Sequence, residues 1–237
     1  LKNIKMRTIL LAAGFGKRLM PLTKDIPKCL VPINGGPLLE IWLTRLIKFN
    51  LGPFLINTHY MSGQVESYIN GSQYSKKITI ATEPVLMGTA GTLVKNLNFF
   101  QGKDGLLIHS DNYCMADFNA FTEAHQNRPK ECLLTMMTFR TNNPSSCGIV
   151  ELNQQGIVTG FYEKVTNPPG NLANGAIYIL SAELLEMIKK ELYSAKDFST
   201  EILSHLIGRI YTYETQEIFI DIGTPKSLKK ADFFFNK

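Results

Sequence analysis

Short apolar runs bounded by turn residues recur along the chain and read as strands: Thr8–Leu11, Phe54–Thr58, Lys77–Ala81, Leu106–His109 and Leu133–Phe139. Between them the apolar positions fall at helical spacing. Leu39, Leu43, Leu46 and Ile47 follow Pro37, which suits the first position of a helix. Val65 and Ile69 precede Gly71, a helix stop. Leu93, Val94 and Leu97 follow the turn at Thr89, and Phe118, Phe121 and His125 share one helical face. Strands alternating with helices predict an α/β fold: a Rossmann-like, mostly parallel sheet with helices on both faces.

The pattern changes at Cys147. Gly148–Leu152, Ile157–Phe161 and Ala176–Leu180 read as short strands separated by turn residues, a small antiparallel insertion over about 145–180. Ser181 is placed to cap a helix carrying Leu184, Leu185, Ile188 and Leu192. A further helix is expected from Ser199 to Gly208, then a strand Glu217–Ile220 and a helix begun by Thr224-Pro225. No linker, internal repeat or hexapeptide period interrupts this order. A single domain over 1–237, with no trailing β-helix, is therefore expected, and Met6 is expected to open the natural chain.

Composition narrows the function classes. With 44% hydrophobic and 19% charged residues, the 237-residue chain can fill a core of its own. No apolar run reaches the ~20 residues of a membrane helix, and the run Ile9–Ala13 is too short for a signal peptide. A net charge of +5 favours anionic ligands but falls short of a nucleic-acid footprint. Cys29, Cys114, Cys132 and Cys147 are scattered without metal-ligand spacing, which fits a reducing, cytoplasmic setting.

The densest chemistry lies in Leu10-Leu11-Ala12-Ala13-Gly14-Phe15-Gly16-Lys17-Arg18-Leu19, continuing to Pro27-Lys28. A strand ends and a loop of small residues begins at a sheet edge of the kind where open α/β folds bind ligands. Gly14 and Gly16 permit positive φ and close approach of backbone amides to an anion. Arg18 and Lys28 add a planar fork and a mobile point charge, which together make a polyphosphate socket. The competing reading is a glycine turn with two surface cations. A dinucleotide fingerprint fails because Leu19 replaces its third glycine, and the residues after Gly16 do not complete a P-loop.

Four further segments follow in order: Glu83–Thr92 with Gly88-Thr89-Ala90-Gly91, Ser110-Asp111, Phe161–Lys164, and Phe219–Pro225 with Asp221. With the Leu10–Leu39 stretch, these resemble the sugar-1-phosphate nucleotidylyltransferases, whose signature reads approximately L-A-A-G-x-G-T-R-L-x-P-L-T and then P-K-P. The resemblance covers most of the chain. In wording it is nearest to mannose-1-phosphate guanylyltransferase-like members, because G-T-A-G replaces the G-L-A-Q usual in thymidylyltransferases.

The resemblance implies a nucleotidyltransferase that joins a nucleoside monophosphate to a sugar 1-phosphate and releases pyrophosphate. GTP with mannose- or heptose-1-phosphate is the preferred pair. Another base, another small phosphate, or a non-catalytic nucleotide-sugar binder on the same scaffold are the alternatives. Leu11, Ala12, Ala13, Gly14, Gly16, Lys17, Arg18, Lys28, Glu83, Gly88, Thr89 and Asp111 are then nucleotide-binding. Gly148, Glu163, Lys164, Asn174 and Gly175 line the sugar-phosphate site. Arg18, Lys28, Asp111, Lys164 and Asp221 are catalytic, with Asp111 and Asp221 holding Mg²⁺, a hard cation suited to carboxylates and phosphates.

Asp111 and Asp221 stand 110 positions apart, so only the fold can bring them together. Read without the resemblance, Asp111 could cap a helix over Met115–Gln126, and Asp221 could be a turn residue before Thr224. Four positions depart from the family wording: Lys17 stands for Thr, Cys29 for Pro or Gln, Ser110 for Gly and Val165 for Pro. The expected partners are the two small-molecule substrates, with a homo-oligomer open and neither nucleic acid nor membrane.

Overall fold

The structure, a computed structural model, describes residues 6–235; the residues ahead of the expected start at Met6 lie outside them. In chain order its strands are β1 Met6–Leu11, β2 Pro32–Ile33, β3 Gly36–Pro37, β4 Leu51–Thr58, β5 Ile78–Thr82, β6 Gly105–His109, β7 Asn112–Cys114, β8 Leu134–Arg140, β9 Gly148–Leu152, β10 Val158–Glu163, β11 Leu172–Leu180, β12 Ile210–Glu214 and β13 Phe219–Asp221. The helices are α1 Leu38–Lys48, α2 Ser62–Gly71, α3 Gly88–Lys95, α4 Phe118–Gln126, α5 Ala182–Glu191 and α6 Pro225–Phe235. The expected α/β class is observed. The described residues form two compact units, one of 6–86, 108–115 and 217–235, the other of 87–107 and 116–216.

In the first unit β1, β4 and β5 run parallel, in register from Thr8↔Phe54 to Leu11↔Asn57 and from Phe54↔Ile78 to Thr58↔Thr82. Thr8, Ile9 and Leu10 are all buried, as a strand covered on both faces requires. Helix α1 makes the first crossover and buries Leu38, Leu39, Trp42, Leu43 and Leu46 in one stripe. Burial of such side chains contributes about 1.5–3 kcal/mol each. Pro37 ends β3 just before that helix rather than opening its first turn. Asn34 (φ 49°) and Gly35 (φ 81°) form the two-residue turn that joins β2 to β3, a conformation that Asn-Gly favours. Strands β7 and β13 pair antiparallel, with Asp221 opposite Asn112. Thr224 caps α6, accepting from Ser227 N at 3.2 Å.

In the second unit β8 lies between β11, antiparallel to it, and β12, parallel to it. Strands β9 and β10 form a hairpin, and β9 also pairs antiparallel with β11. The Ser181 hydroxyl caps α5 by accepting from Leu184 N at 3.1 Å. The helix expected from Ser199 to Gly208 is instead a π-helical turn, Phe198–Leu203, followed by a 3₁₀ turn, Ser204–Leu206. Gly208, at φ 85°, follows. Among the described residues no helix is long and apolar enough to cross a membrane.

Candidate functional site

At the carboxyl end of β1 the chain leaves the sheet through buried Ala12 and Ala13. Ala12 N donates to Asn57 Oδ1 at 2.7 Å, and Asn57 Nδ2 donates to Glu83 Oε1 at 2.9 Å. Glu83 is 3% exposed. It therefore braces the loop through Asn57 rather than turning outward. From Gly14 to Arg18, five successive backbone amides have no protein acceptor among the described residues. Gly16 takes φ 63°, and a Cβ there would meet Thr23 Cγ2 at 2.9 Å and Lys28 Cβ at 3.1 Å. The Thr23 hydroxyl donates to Gly16 O at 2.8 Å and fixes the turn. A run of open amides on a glycine-shaped loop is a nest for an anion.

Two acids close around this loop. Ser110 donates to Leu11 O from both N (3.1 Å) and Oγ (2.7 Å), which ties the start of Asp111 to the end of β1. The β7–β13 ladder does the rest, since Ile222 N donates to Asp111 O at 3.0 Å. Thus the fold brings together two aspartates far apart in sequence. Lys28 Nζ lies 2.7 Å from Asp111 Oδ2, and Arg18 Nη1 lies 3.5 Å from Asp221 Oδ2. The alternative roles are taken by other residues. Asp117 caps α4, accepting from Asn119 N and Ala120 N, and Thr224 caps α6.

The acids differ in their electrostatics. Burial pushes both carboxyls upward, as desolvation of a charge must. At Asp111 the Lys28 ammonium, followed by His109, more than offsets it and holds the pKa below the usual carboxylate value. At Asp221 the negative charge of Asp111 adds to burial, and the pKa stays above that value despite Lys28 and Arg18.

The remaining predicted residues belong to the second unit. Gly88, at φ 81°, opens α3, and a Cβ there would collide with Lys196 O. Ala90 N donates to Lys196 O at 2.9 Å, and the Thr89 hydroxyl accepts from Phe198 N at 2.8 Å. Gly88 and Thr89 are therefore clamped to the segment 196–198. Buried Gly148 sits opposite Glu163 in the β9–β10 ladder, where a Cβ would lie 2.6 Å from Glu163 Oε2. Lys164, in the left-handed region at φ 51°, places Nζ 2.8 Å from Glu163 Oε1. Asn174 and Gly175 lie where β11 bulges against β8. Asn174 Oδ1 accepts from Ala176 N, and its Nδ2 donates to buried Tyr178 OH at 2.7 Å.

Two participants were not read from the sequence. Asn57 ends the apolar run Phe54–Ile56, and a polar residue at that carboxyl edge is the signal that could have found it. Gly223 is the second: a Cβ there would lie 2.7 Å from Arg18 Nη1, so its bare backbone makes room for the guanidinium. Cys29 is 2% exposed and burial pushes its thiol up to about 12, so it packs as a neutral side chain.

The chain matches the family described as Nucleotidyl transferase over residues 7–237. The D-glycero-alpha-D-manno-heptose 1-phosphate guanylyltransferase of Campylobacter jejuni is 29% identical over 222 residues, covering 93% of this chain and 96% of its own. Mannose-1-phosphate guanyltransferase 2 of Candida glabrata is 27% identical over 232 residues, 93% of this chain and 62% of its own. The chain spans 60–62% of the length of this and several other curated relatives. Solved HddC from Yersinia pseudotuberculosis, complexed with GMP-PN, shares the fold with a TM-score of 0.82 at 23% identity, over 97% of this chain and 99% of that one. With the family matching almost end to end, this chain belongs to the nucleotidyl transferases.

Proposed function

We propose that the chain transfers a nucleoside monophosphate from a nucleoside triphosphate to a sugar 1-phosphate and releases pyrophosphate. GTP and mannose- or heptose-1-phosphate are the proposed substrates, in keeping with the names of its relatives. The carrying observation is the pair of cation–carboxylate contacts, Lys28–Asp111 and Arg18–Asp221, beside five open amides.

Both reactants are anions, so the protein's task is to neutralise and align them. The open amides of 14–18 receive phosphate oxygens, while Arg18 and Lys28 hold the β- and γ-phosphates and the charge that grows on departing pyrophosphate. The attacking sugar phosphate oxygen is already ionised at neutral pH, so no protein base is required. Lys164, oriented by Glu163, takes the sugar phosphate, with Gly148, Asn174 and Gly175 shaping the sugar contacts.

The acid pair suits a hard divalent cation. Asp111 and Asp221 offer carboxylate oxygens on side chains that are 41% and 40% exposed, and burial together with the charge of Asp111 raises the Asp221 carboxyl, a cost that a cation would relieve. These two residues would hold Mg²⁺, which when bound screens the phosphate charge. The setting proposed is cytoplasmic, consistent with four free thiols.

The test is a matrix of nucleoside triphosphates against mannose, heptose, glucose, N-acetylhexosamine and choline phosphates, with Mg²⁺ or with chelator, read as pyrophosphate release. GTP with one of the first two sugars is expected to give the highest signal. Release from no pair, or near-normal turnover by Asp221→Asn, would sink the proposal.

A further inference from the structure

Between Gly14 and Lys28, two cations have their own carboxylates, and of the other two only Lys17 lies within the run of open amides. Arg18 faces Asp221, and Lys28 holds Asp111. Those two pairs are formally neutral. No carboxylate pairs with Lys17 among the described residues; its ammonium lies 5.5 Å from the centroid of the Phe15 ring. Added to these two neutral pairs, Lys17 brings one formal positive charge to the 14–18 run.

Phe15 is an unusual place to rest. It is 40% exposed between the two glycines, yet its ring is braced. His59 meets it edge-on at 5.6 Å, and Tyr60 lies tilted at 5.5 Å. Both braces are themselves tied down: His59 Nδ1 lies 2.7 Å from Glu83 O, and Tyr60 OH donates to Thr23 O at 3.1 Å. An exposed cation–π contact is a weaker attraction than a hydrogen bond from a charged group. A phosphate reaching the loop therefore outcompetes the ring for the ammonium.

We propose that Lys17 reads the terminal phosphate of the nucleotide: it rests on Phe15 in the free protein and moves onto the γ-phosphate when a triphosphate binds. It thereby sets the preference for triphosphate over monophosphate and the retention of pyrophosphate. This rests on the reading of the 14–18 loop as a triphosphate cradle, and the experiment separates the two. Lys17 acts through charge, so Lys17→Arg preserves the effect and Lys17→Thr removes it.

The test is calorimetric titration of the full chain with GTP, GMP and inorganic pyrophosphate, in Mg²⁺, for wild type, Lys17→Thr, Lys17→Arg and Phe15→Leu. Lys17→Thr is expected to weaken GTP and pyrophosphate by about tenfold and GMP by less than about twofold, while Lys17→Arg stays near wild type. Phe15→Leu frees the ammonium, so GTP binding is expected to hold or to tighten up to about threefold. Equal loss for all three ligands in Lys17→Thr, no loss for any, or weaker GTP binding by Phe15→Leu would overturn the role of Lys17. If wild type binds pyrophosphate but not GTP, loss of pyrophosphate binding in Lys17→Thr still supports the role of Lys17 and corrects only the base, and unchanged pyrophosphate binding overturns it. Wild type that binds none of the three ligands removes the cradle reading itself, and the inference with it.

Discussion

The glycine loop after β1 in the first unit and the Glu163 corner of the second are built on opposite plans. In the loop, five amides have no protein acceptor among the described residues, and Gly14 has nothing within 4 Å of where a Cβ would stand. In the corner almost every polar group already has a partner. Lys164 is paired with Glu163, both ends of Asn174 are bonded, and Gly148 is crowded by Glu163 and the Phe161 ring. An open nest waits for a highly charged ligand that water would otherwise solvate. A satisfied corner must exchange an internal contact for a ligand contact, which lowers affinity but sharpens discrimination. The first plan should fail through lost charge, the second through lost shape.

Lys28→Met tests the charge side and carries the largest expected effect. Lys28 is 8% exposed and its ammonium is the closest cation to Asp111. Its loss strips one charge from the phosphates and leaves a part-buried carboxylate uncompensated. Turnover, read as pyrophosphate release, is expected to fall ~10²–10³-fold, as when a preorganised transition-state contact is deleted. Retained turnover would mean that the open amides alone do the binding. Next in size is Lys164→Met. The Glu163–Lys164 pair is largely exposed, at 64% for the lysine, so unfolding free energy should move by no more than ~1 kcal/mol. KM for the sugar phosphate should rise about tenfold or more, the cost of one charge-assisted contact. A lowered melting temperature with unchanged KM would make the pair structural.

What was legible in the sequence divides along physical lines. Strands β1, β4, β6 and β8 were readable because strands buried on both faces are written as apolar runs. The three-residue β7 was not, since Asn112-Tyr113-Cys114 has too little length to show a period; the ladder that joins Asp111 to Asp221 was therefore invisible. Their meeting could be expected only from the order of motifs, and the pairing with β13 supplies its cause. The five open amides could not be read at all, because which amides lack acceptors depends on the path of the whole loop. Lys28 was named as a phosphate ligand, but that it would be buried against Asp111 needs both strands in place. The helix expected over Ser199–Gly208 broke because apolar periodicity does not separate α from π or 3₁₀ turns.

Glycine positions test the shape side, with a smaller effect. Gly148→Ala puts a methyl 2.6 Å from Glu163 Oε2 and 2.8 Å from the Phe161 ring. Overpacking of this kind costs ~1–3 kcal/mol. For a chain of this size each kcal/mol lowers the melting temperature by roughly 2–4 °C. Gly14→Ala, with open space around its Cβ, should leave stability unchanged in the same thermal scan. If both substitutions destabilise equally, the contrast between open loop and crowded corner is wrong.

The slightest effect concerns a buried histidine inside the second unit, and it appears only as a pH slope. His125 is 2% exposed; its Nδ1 lies 2.8 Å from Thr135 Oγ1 and its Nε2 lies 3.5 Å from Asp104 Oδ2. Burial lowers its pKa below 6.5; Arg128 adds to that, and Asp104 works against it. A lowered histidine is neutral in the fold and takes its proton more readily when unfolded. Its contribution is thus fully present above about pH 6.5 and is lost as pH falls from there. Asp104, also lowered, loses its share only as pH falls from its ordinary carboxylate value of 3.8, below the pH range of the test. His125→Gln keeps a hydrogen-bonding side chain but cannot titrate. Its melting temperature should therefore fall less than that of wild type between pH 7 and pH 5. Equal slopes would show that the buried ring takes up its proton in the fold as readily as in the unfolded chain, with Asp104 offsetting burial.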